Sequence, residues 1–137
     1  MDKSQIFRFI ARRKTAFIGS IGGEGYPVVR AMLAPRKIEG DELYFTTNTS
    51  SNKVKQFMAD GKACVYFYRR GLVRYRGVCL VGEMTVCVDR PTKDAVWRRG
   101  DEMFYRQGVA DPDYCVLKFK CKKAQCYCDL KTETVEF

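Results

Sequence analysis

The stretch from Leu43 to Lys53 places hydroxyl, amide and lysine side chains where a strand passes into a helix. Its first residues have the aromatic and β-branched bias of a strand. Apolar residues then recur at helical spacing between Val54 and Met58, which predicts a short amphipathic helix. Ser50 or Ser51 can cap this helix. The stretch therefore predicts a hydroxyl-rich loop at a helix N-terminus.

The charges in the first turn of this helix are of the wrong sign for an ordinary helix. Helix N-termini carry partial positive charge and favour acidic residues, yet Lys53 and Lys55 lie there and no acid precedes Asp60. A bound anion would remove the conflict, because free backbone N–H groups, hydroxyls and a lysine together can hold a phosphate. We interpret the stretch as a phosphate site. A capped surface helix with solvated lysines is the alternative that these residues alone leave open.

The length, net charge and composition of the chain limit its possible functions but do not select one. The chain has 137 residues, which predicts a single domain over residues 1–137. Its formal net charge of +9 suits an anionic ligand or nucleic acid, but such a charge also keeps a protein soluble. Histidine is absent, so the usual general base and the commonest neutral metal ligand are missing. Any catalysis must therefore come from other groups or from a cofactor.

The N-terminal residues MDKSQIFRFIARRK lack the apolar core of a signal peptide, and no apolar run is long enough to span a membrane. We therefore expect a cytoplasmic protein whose seven cysteines are reduced thiols. Cys121, Cys126 and Cys128 do not have the spacing of a standard zinc site. We predict no metal site.

The pattern of apolar residues and turns predicts about seven antiparallel strands and three helices. Asp2 or Ser4 can cap a first helix, a second follows Ser51, and Pro91 opens a third. The predicted strands are 15–21, 27–34, 43–47, 62–69, 73–88, 114–121 and 124–130. The long strand is expected to bulge at Gly77 or Gly82, and the last two strands to join around Lys122 and Lys123. The prediction is a small antiparallel barrel with three flanking helices, with an open α+β sheet as the alternative.

The order of these motifs resembles the flavin-binding split barrel of the pyridoxamine 5'-phosphate oxidase-like family. The resemblance runs through TAFIGSIGGEGYPVVRAML, LYFTTNTSSNKVKQFM, KACVYFY and AVWRRGDEMFYRQGVADPDYCVLKF, and so covers nearly the whole chain. It implies a mainly β fold with α-helices, a split β-barrel, and a homodimer with FMN at its interface.

The resemblance also implies a role for individual residues. Arg30 corresponds to the arginine that reaches the phosphate, Ala31 and Met32 to backbone along the isoalloxazine edge, Thr46 and Thr47 to the strand end beside the flavin, and Ser51 and Lys53 to the phosphate ligands at the helix start. No catalytic side chain is assigned.

Several positions depart from the pattern of the true oxidase. Asn52 stands where an arginine precedes the lysine, Gly77 where a glutamine lies near the ring, and Pro35, followed by Arg36, where a lysine ends the second strand. A histidine of the oxidase's substrate segment has no counterpart, since the sequence contains none. We therefore expect FMN binding without oxidation of pyridoxamine phosphate.

Two groups of residues keep other interpretations open. Trp97, Phe104 and Tyr105 can pack in a core or cover a bound ring. Arginines between Arg69 and Arg76 can be solvated, receive an anionic substrate or the phosphates of a nicotinamide cofactor, or neutralise nucleic acid beside nearby tyrosines.

The leading hypothesis is an FMN-dependent oxidoreductase that passes electrons or hydride between a nicotinamide cofactor and a small acceptor. A nucleic-acid-binding barrel is a disfavoured alternative. Others are a flavin-binding protein without turnover and a haem or deazaflavin protein.

Overall fold

A computed structural model describes all residues, Met1 to Phe137. The chain begins with helix α1, Lys3–Ala11. The Asp2 side chain accepts a hydrogen bond from the backbone of Gln5, whose side chain accepts one from the backbone of Asp2. This reciprocal capping box confirms Asp2 as the cap and fixes the direction of the helix.

The remaining elements are eight strands and two further helices. The strands are β1 Thr15–Ile21, β2 Pro27–Leu33, β3 Lys37–Glu39, β4 Glu42–Asn48, β5 Lys62–Arg70, β6 Tyr75–Cys87, β7 Tyr114–Cys128 and β8 Lys131–Glu136. Helix α2 spans Asn52–Ala59 and helix α3 spans Arg90–Val96; short 3₁₀ turns occupy Asp101–Met103 and Gly108–Ala110.

All strands form one antiparallel sheet in the order β2-β1-β5-β6-β7-β4-β3, with β8 paired to β7. The end strands β2 and β3 do not pair with each other, so the barrel is split instead of closed. The predicted fold class is confirmed. The number of strands is eight instead of seven, because β3 and β8 were not predicted as strands while the predicted strands 114–121 and 124–130 are parts of the single strand β7.

The core lies on the inner face of the curled sheet. Strand residues such as Ile18, Phe45, Val65 and Leu117 are fully or almost fully buried there. Helix α1 adds Ile6, Phe9 and Ile10, and helix α2 adds Val54 and Phe57. The alternate buried residues of the strands and the apolar faces of α1 and α2 therefore pack into one hydrophobic core.

The predicted bulge in the long strand β6 is found between Val81 and Gly82. The bulge leaves Lys122 of β7 without a partner in β6, because Val81 pairs with Lys123 and Gly82 with Cys121. A side chain at Gly82 would collide with the carbonyl oxygen of Lys120. Glycine is therefore required where the two strands approach this closely.

The predicted last hairpin is wrong in its position. Lys122 and Lys123 do not form a turn, because β7 runs through them as one strand from Tyr114 to Cys128. The reversal comes at Asp129 and Leu130, whose φ angles are 50° and 64°. Positive φ angles at both central residues are typical of a tight two-residue hairpin, and here the turn carries no glycine to mark it in the sequence.

No helix of the structure combines the length and the apolar character needed to cross a membrane.

Candidate functional site

The start of helix α2 leaves several hydrogen-bonding groups without a partner in the chain. Ser51 is the N-cap residue, but its side chain makes no capping hydrogen bond. The hydroxyl oxygens of Ser51 and Thr49 are buried and unpartnered. The backbone N–H groups of Asn52, Lys53 and Val54 also donate to no other group of the chain. Buried hydroxyls are rarely left unsatisfied, so this cluster of groups is suited to an external acceptor.

Asp113 fixes the loop that precedes this helix. Its carbonyl oxygen accepts a hydrogen bond of 2.7 Å from the backbone N–H of Thr49, and its carboxylate accepts one of 2.9 Å from that of Ser50. The carboxylate is thus held by the loop backbone. Sequence reasoning noted the segment around Asp113 as part of a family motif but did not connect it with the helix start.

Lys53 and Arg30 bring two positive charges together at this helix start. Neither residue forms an ion pair with a carboxylate. Burial lowers the pKa of the Lys53 amino group, and the positive charge of Arg30 lowers it further. Burial also lowers the pKa of the Arg30 guanidinium. Two half-buried cations without a counter-charge are an unfavourable arrangement that an anion would relieve.

Arg30 is held in place by neutral groups. Its guanidinium donates to the Ser20 hydroxyl and to the Gln56 side-chain oxygen, each at 2.8 Å, and to the Ile18 carbonyl oxygen at 3.3 Å. The Ser20 hydroxyl in turn donates to Gln56 at 2.5 Å. These contacts tie β2 to β1 and to α2. They orient the charge of Arg30 without neutralising it.

Sequence reasoning missed Ser20 and Gln56. The only local signal was the position of Gln56, three residues after Lys53 and hence on the same side of the helix. Ser20 carried no signal, because its approach to Arg30 depends on the pairing of β1 with β2.

The other predicted residues are distributed over different surfaces. Thr46 and Thr47 are adjacent in β4 and therefore point to opposite faces of the sheet. Thr47 is buried. Thr46 lines a cavity of about 340 Å³ together with Leu33, Arg36, Asn48, Asp101, Phe104, Tyr105 and Asp113.

The two remaining residues lie in the edge strand β2. Ala31 pairs with Phe17 and is exposed, whereas Met32 pairs with Ala16 and packs against the core. The sheet therefore gathers Arg30, Ser51 and Lys53 around the helix start and leaves Ala31 and Thr46 elsewhere on its surface.

Arg36 is not free to hold a substrate anion. It forms a bidentate pair with Asp101 at 2.7 and 2.9 Å. Asp101 also accepts the backbone N–H of Arg98 at 2.8 Å. The hydrogen bonds from Arg36 lower the pKa of the Asp101 carboxyl. This pair is structural, because it ties the segment before β3 to the first 3₁₀ turn.

Of the three aromatic residues near helix α3, two are packed in the protein and one is exposed. Trp97 lies 5.0 Å from Tyr114 between ring centroids, and Tyr105 lies 5.1 Å from the same ring. These contacts place Trp97 and Tyr105 in a small core. Phe104 is 78% exposed and remains on the surface beside the Thr46 cavity.

All seven cysteines are free thiols. Cys64 and Cys79 lie on the neighbouring strands β5 and β6, where Cys79 pairs with Tyr66, two residues from Cys64. The neighbouring Cys79 thiol lowers the pKa of Cys64, against the opposite effect of burial.

The family model of pyridoxamine 5'-phosphate oxidase matches residues 3–128 of this chain. Among solved structures, one similar protein is related to general stress protein 26 of Bacillus subtilis, is assigned to the pyridoxinephosphate oxidase family and comes from Clostridium acetobutylicum. It is 30% identical with a TM-score of 0.83, and the match covers 98% of this chain and 93% of that one.

Two further solved structures share the fold at lower identity. General stress protein 26 of Bacillus anthracis is 18% identical with a TM-score of 0.79, and 98% of each chain is covered. A pyridoxamine 5'-phosphate oxidase-related, FMN binding protein of Nostoc punctiforme is 14% identical with a TM-score of 0.73, and the match covers 98% of this chain and 96% of that one. No curated protein matches the sequence.

Proposed function

The chain belongs to the pyridoxamine 5'-phosphate oxidase family, and on that basis we propose that it binds FMN as a homodimer and transfers electrons or hydride between a nicotinamide cofactor and a small acceptor. The observation that carries this proposal is the start of α2, where Arg30 and Lys53 lie together without a carboxylate beside the unpartnered hydroxyl of Ser51. A protein of the same fold is described as FMN binding, which supports the choice of cofactor.

The groups at the helix start fit a phosphate monoester. The Lys53 amino group and the Arg30 guanidinium supply positive charge, and the hydroxyls of Ser51 and Thr49 together with the first amides of α2 supply hydrogen-bond donors. Negative charge is also stabilised at a helix N-terminus. Binding an anion would raise the pKa of Lys53, because a nearby opposite charge favours the protonated amine.

The family resemblance directs the isoalloxazine ring towards Ala31, Met32 and Thr46. Strand β2 is an edge strand, so half of its backbone N–H and C=O groups face away from β1 and are available to a ligand. The exposed side chains of Leu33 and Phe104 flank the cavity beside Thr46. Bound FMN would supply the redox chemistry, while the chain binds and orients it and limits the access of water.

An exposed apolar face supports the homodimer. A groove of about 430 Å³ crosses β2, β1 and β5 and reaches the start of β6; it is lined by Phe17, Gly19, Val29, Cys64, Tyr66, Tyr68 and Tyr75. Val29 and Leu33 of the edge strand are 64% and 80% exposed. Apolar surface of this extent usually marks an interface, and a second copy of the chain would cover it about a two-fold axis.

Visible absorption spectroscopy tests cofactor and electron donor in sequence. We expect flavin absorbance that survives desalting after addition of FMN, and loss of that absorbance when NADH or NADPH is added without oxygen. A colourless protein that ignores FMN would refute the flavin assignment, and the same spectra would reveal a haem or a deazaflavin. Bound FMN that neither nucleotide reduces would leave flavin binding in place and remove the proposed electron donor.

A further inference from the structure

A cluster of five arginines lines a cavity that the flavin proposal does not use. The cavity has a volume of about 460 Å³ and lies between α1 and the adjoining ends of β5, β6 and β7. Its lining residues are Met1, Gln5, Arg8, Phe9, Arg12, Arg13, Arg69, Arg76 and Cys128. Volumes of this order are typical of small-molecule sites.

The strand register brings two of these arginines together directly. Arg69 of β5 pairs with Arg76 of β6, and Arg76 also pairs with Cys128 of β7. The preceding inward-facing pair is Phe67 with Val78, so Arg69 and Arg76 continue the inner face of the sheet beyond the core. Like charges that face each other across two strands destabilise a sheet.

Helix α1 covers the same cavity with further positive charge. Arg8, Arg12 and Arg13 all lie near its C-terminus, and the guanidinium of Arg13 lies 4.7 Å from the centre of the Phe9 ring. Burial lowers the pKa of Arg13, and the charges of Arg69 and Arg12 lower it further. The C-terminal end of a helix favours cations. That effect does not account for the arginines of the sheet.

No carboxylate neutralises these five guanidinium groups, since none of them forms an ion pair. The one lining residue with an acidic partner is Met1, whose amino group forms an ion pair with the Glu133 carboxylate at 2.9 Å. Outside the cavity, Arg36, Arg74 and Arg90 each have an acidic partner, whereas Arg30, Arg70, Arg98, Arg99 and Arg106 have none. The cavity thus concentrates unpaired arginine in a concave site.

We propose that this arginine cavity binds a small molecule with at least two linked phosphate groups, such as a nucleoside diphosphate or the pyrophosphate of a dinucleotide. Arginine forks match phosphate oxygens in a bidentate manner. Several guanidinium groups on opposite walls, from α1 and from the sheet, exceed what a single phosphate can neutralise. Phe9 and Cys128 add apolar surface for the uncharged part of the ligand.

The register favours this ligand over single-stranded nucleic acid. Tyr66, Tyr68 and Tyr75 line the groove on the outer face of the sheet, which Arg70 shares because it pairs with Tyr75, whereas Arg69 and Arg76 lie on the inner face. A nucleic-acid groove would need stacking rings and arginines along one surface. The structure separates Arg69 and Arg76 from the tyrosines and leaves Arg70 beside them, so the inner-face arginines do not form one nucleic-acid surface with these rings.

The test is a calorimetric titration of the full-length protein with ADP, inorganic pyrophosphate and adenosine, in the presence of saturating FMN. We expect ADP and pyrophosphate to bind with an affinity that falls as salt rises, and adenosine not to bind. Arg69→Gln should weaken the affinity for ADP at least about tenfold, because a charged contact to phosphate is lost. Arg70→Gln is the matched control: it removes the same charge from the adjacent residue, which lies outside the cavity.

Thermal unfolding gives a second measurement that does not depend on the titration. Without an anion, the Arg69→Gln variant should be folded, and its unfolding temperature should equal or exceed that of the parent protein, since the substitution removes a repulsive pair. ADP should then raise the unfolding temperature of the parent protein and of Arg70→Gln but not of Arg69→Gln.

Three results would overturn the proposal. They are equal ADP affinity in the two variants, no binding of ADP or pyrophosphate to the parent protein, and binding of single-stranded oligonucleotides in place of both. The comparison of the two variants holds whether or not FMN binds, so failure of the flavin proposal would be recognised separately.

Discussion

Replacing Lys53 with alanine should weaken FMN binding while leaving the fold intact. Lys53 has no acidic partner, and Arg30 beside it lowers its pKa, so its charge contributes nothing favourable to the protein without ligand. The alanine variant should therefore unfold at the same temperature as the parent protein or a slightly higher one. Any loss of flavin affinity can then be attributed to the missing ligand contact.

The magnitude follows from the kind of contact that is lost. A hydrogen bond from a charged group is worth about 1.5–3 kcal/mol, and each factor of ten in affinity corresponds to about 1.4 kcal/mol. Lys53→Ala should thus raise the dissociation constant for FMN about tenfold to a hundredfold. Arg30→Ala should do the same, although Arg30 also anchors Ser20 and Gln56 and its loss will disturb them.

The assay is an equilibrium titration followed by flavin fluorescence, carried out with FMN and with riboflavin. Riboflavin lacks the phosphate, so it should bind the parent protein weakly and should respond little to Lys53→Ala. Lys55→Ala is the matched control, because it removes the same charge two residues further along α2 from an exposed position. Unchanged FMN affinity in both Lys53→Ala and Arg30→Ala would refute the phosphate site, as would equal weakening of FMN and riboflavin by Lys53→Ala.

Three other features of the structure lead to separate predictions. Val29→Asp should convert the proposed dimer to a monomer in sedimentation, because it places a charge in the exposed apolar groove. Val88→Asp, outside the groove, should not; a dimer that persists in Val29→Asp, or a monomeric parent protein, would exclude this face as the interface. Asp101→Asn should cost about 2 kcal/mol at neutral pH, because a charged pair is lost. The pKa of Asp101 is lowered in the folded protein, so this difference should close as the pH falls below the ordinary aspartate range, and a gap that persists in acid would contradict the assignment. Cys79→Ala should slow alkylation of Cys64 at neutral pH, followed by mass spectrometry, because it removes the neighbouring thiol that lowers the Cys64 pKa. An unchanged pH profile would show that the two thiols do not interact.

Local sequence signals were sufficient for the elements that local physics controls. Residues within a few positions narrowed each of three features to two choices, of which the structure has Asp2 as the first cap, Gly82 at the bulge and Ser51 at the start of α2. The turn at Asp129 and Leu130 was missed because no local signal marks it: both residues have left-handed backbone conformations, which such residues seldom adopt. The polar pair Lys122 and Lys123 was predicted to be the turn instead, although β7 runs through it.

The candidate site was only partly accessible from sequence. Lys53 and Ser51 could be found from the reversed charge pattern at one helix start, because that conflict lies within a single segment. The support of Arg30 by Ser20 and Gln56 joins β1, β2 and α2, and no spacing in the sequence encodes it. The same limit applies to Arg36, whose partner Asp101 lies 65 residues away in sequence.

The distribution of charge shows why the net charge of the chain could not identify its ligands. An excess of nine positive charges could be spread evenly over the surface and would then say little. In the structure, two groups of cations share a site without an acidic partner: Arg30 and Lys53 at the start of α2, and five arginines around the cavity under α1. Acids were available to neutralise them, as the pair of Arg36 with Asp101 shows. Arg30, Lys53 and Arg13 are partly buried, where like charges repel more strongly, and the other four arginines of the cavity are exposed around Arg13. Anions that bind at the two sites would offset this repulsion.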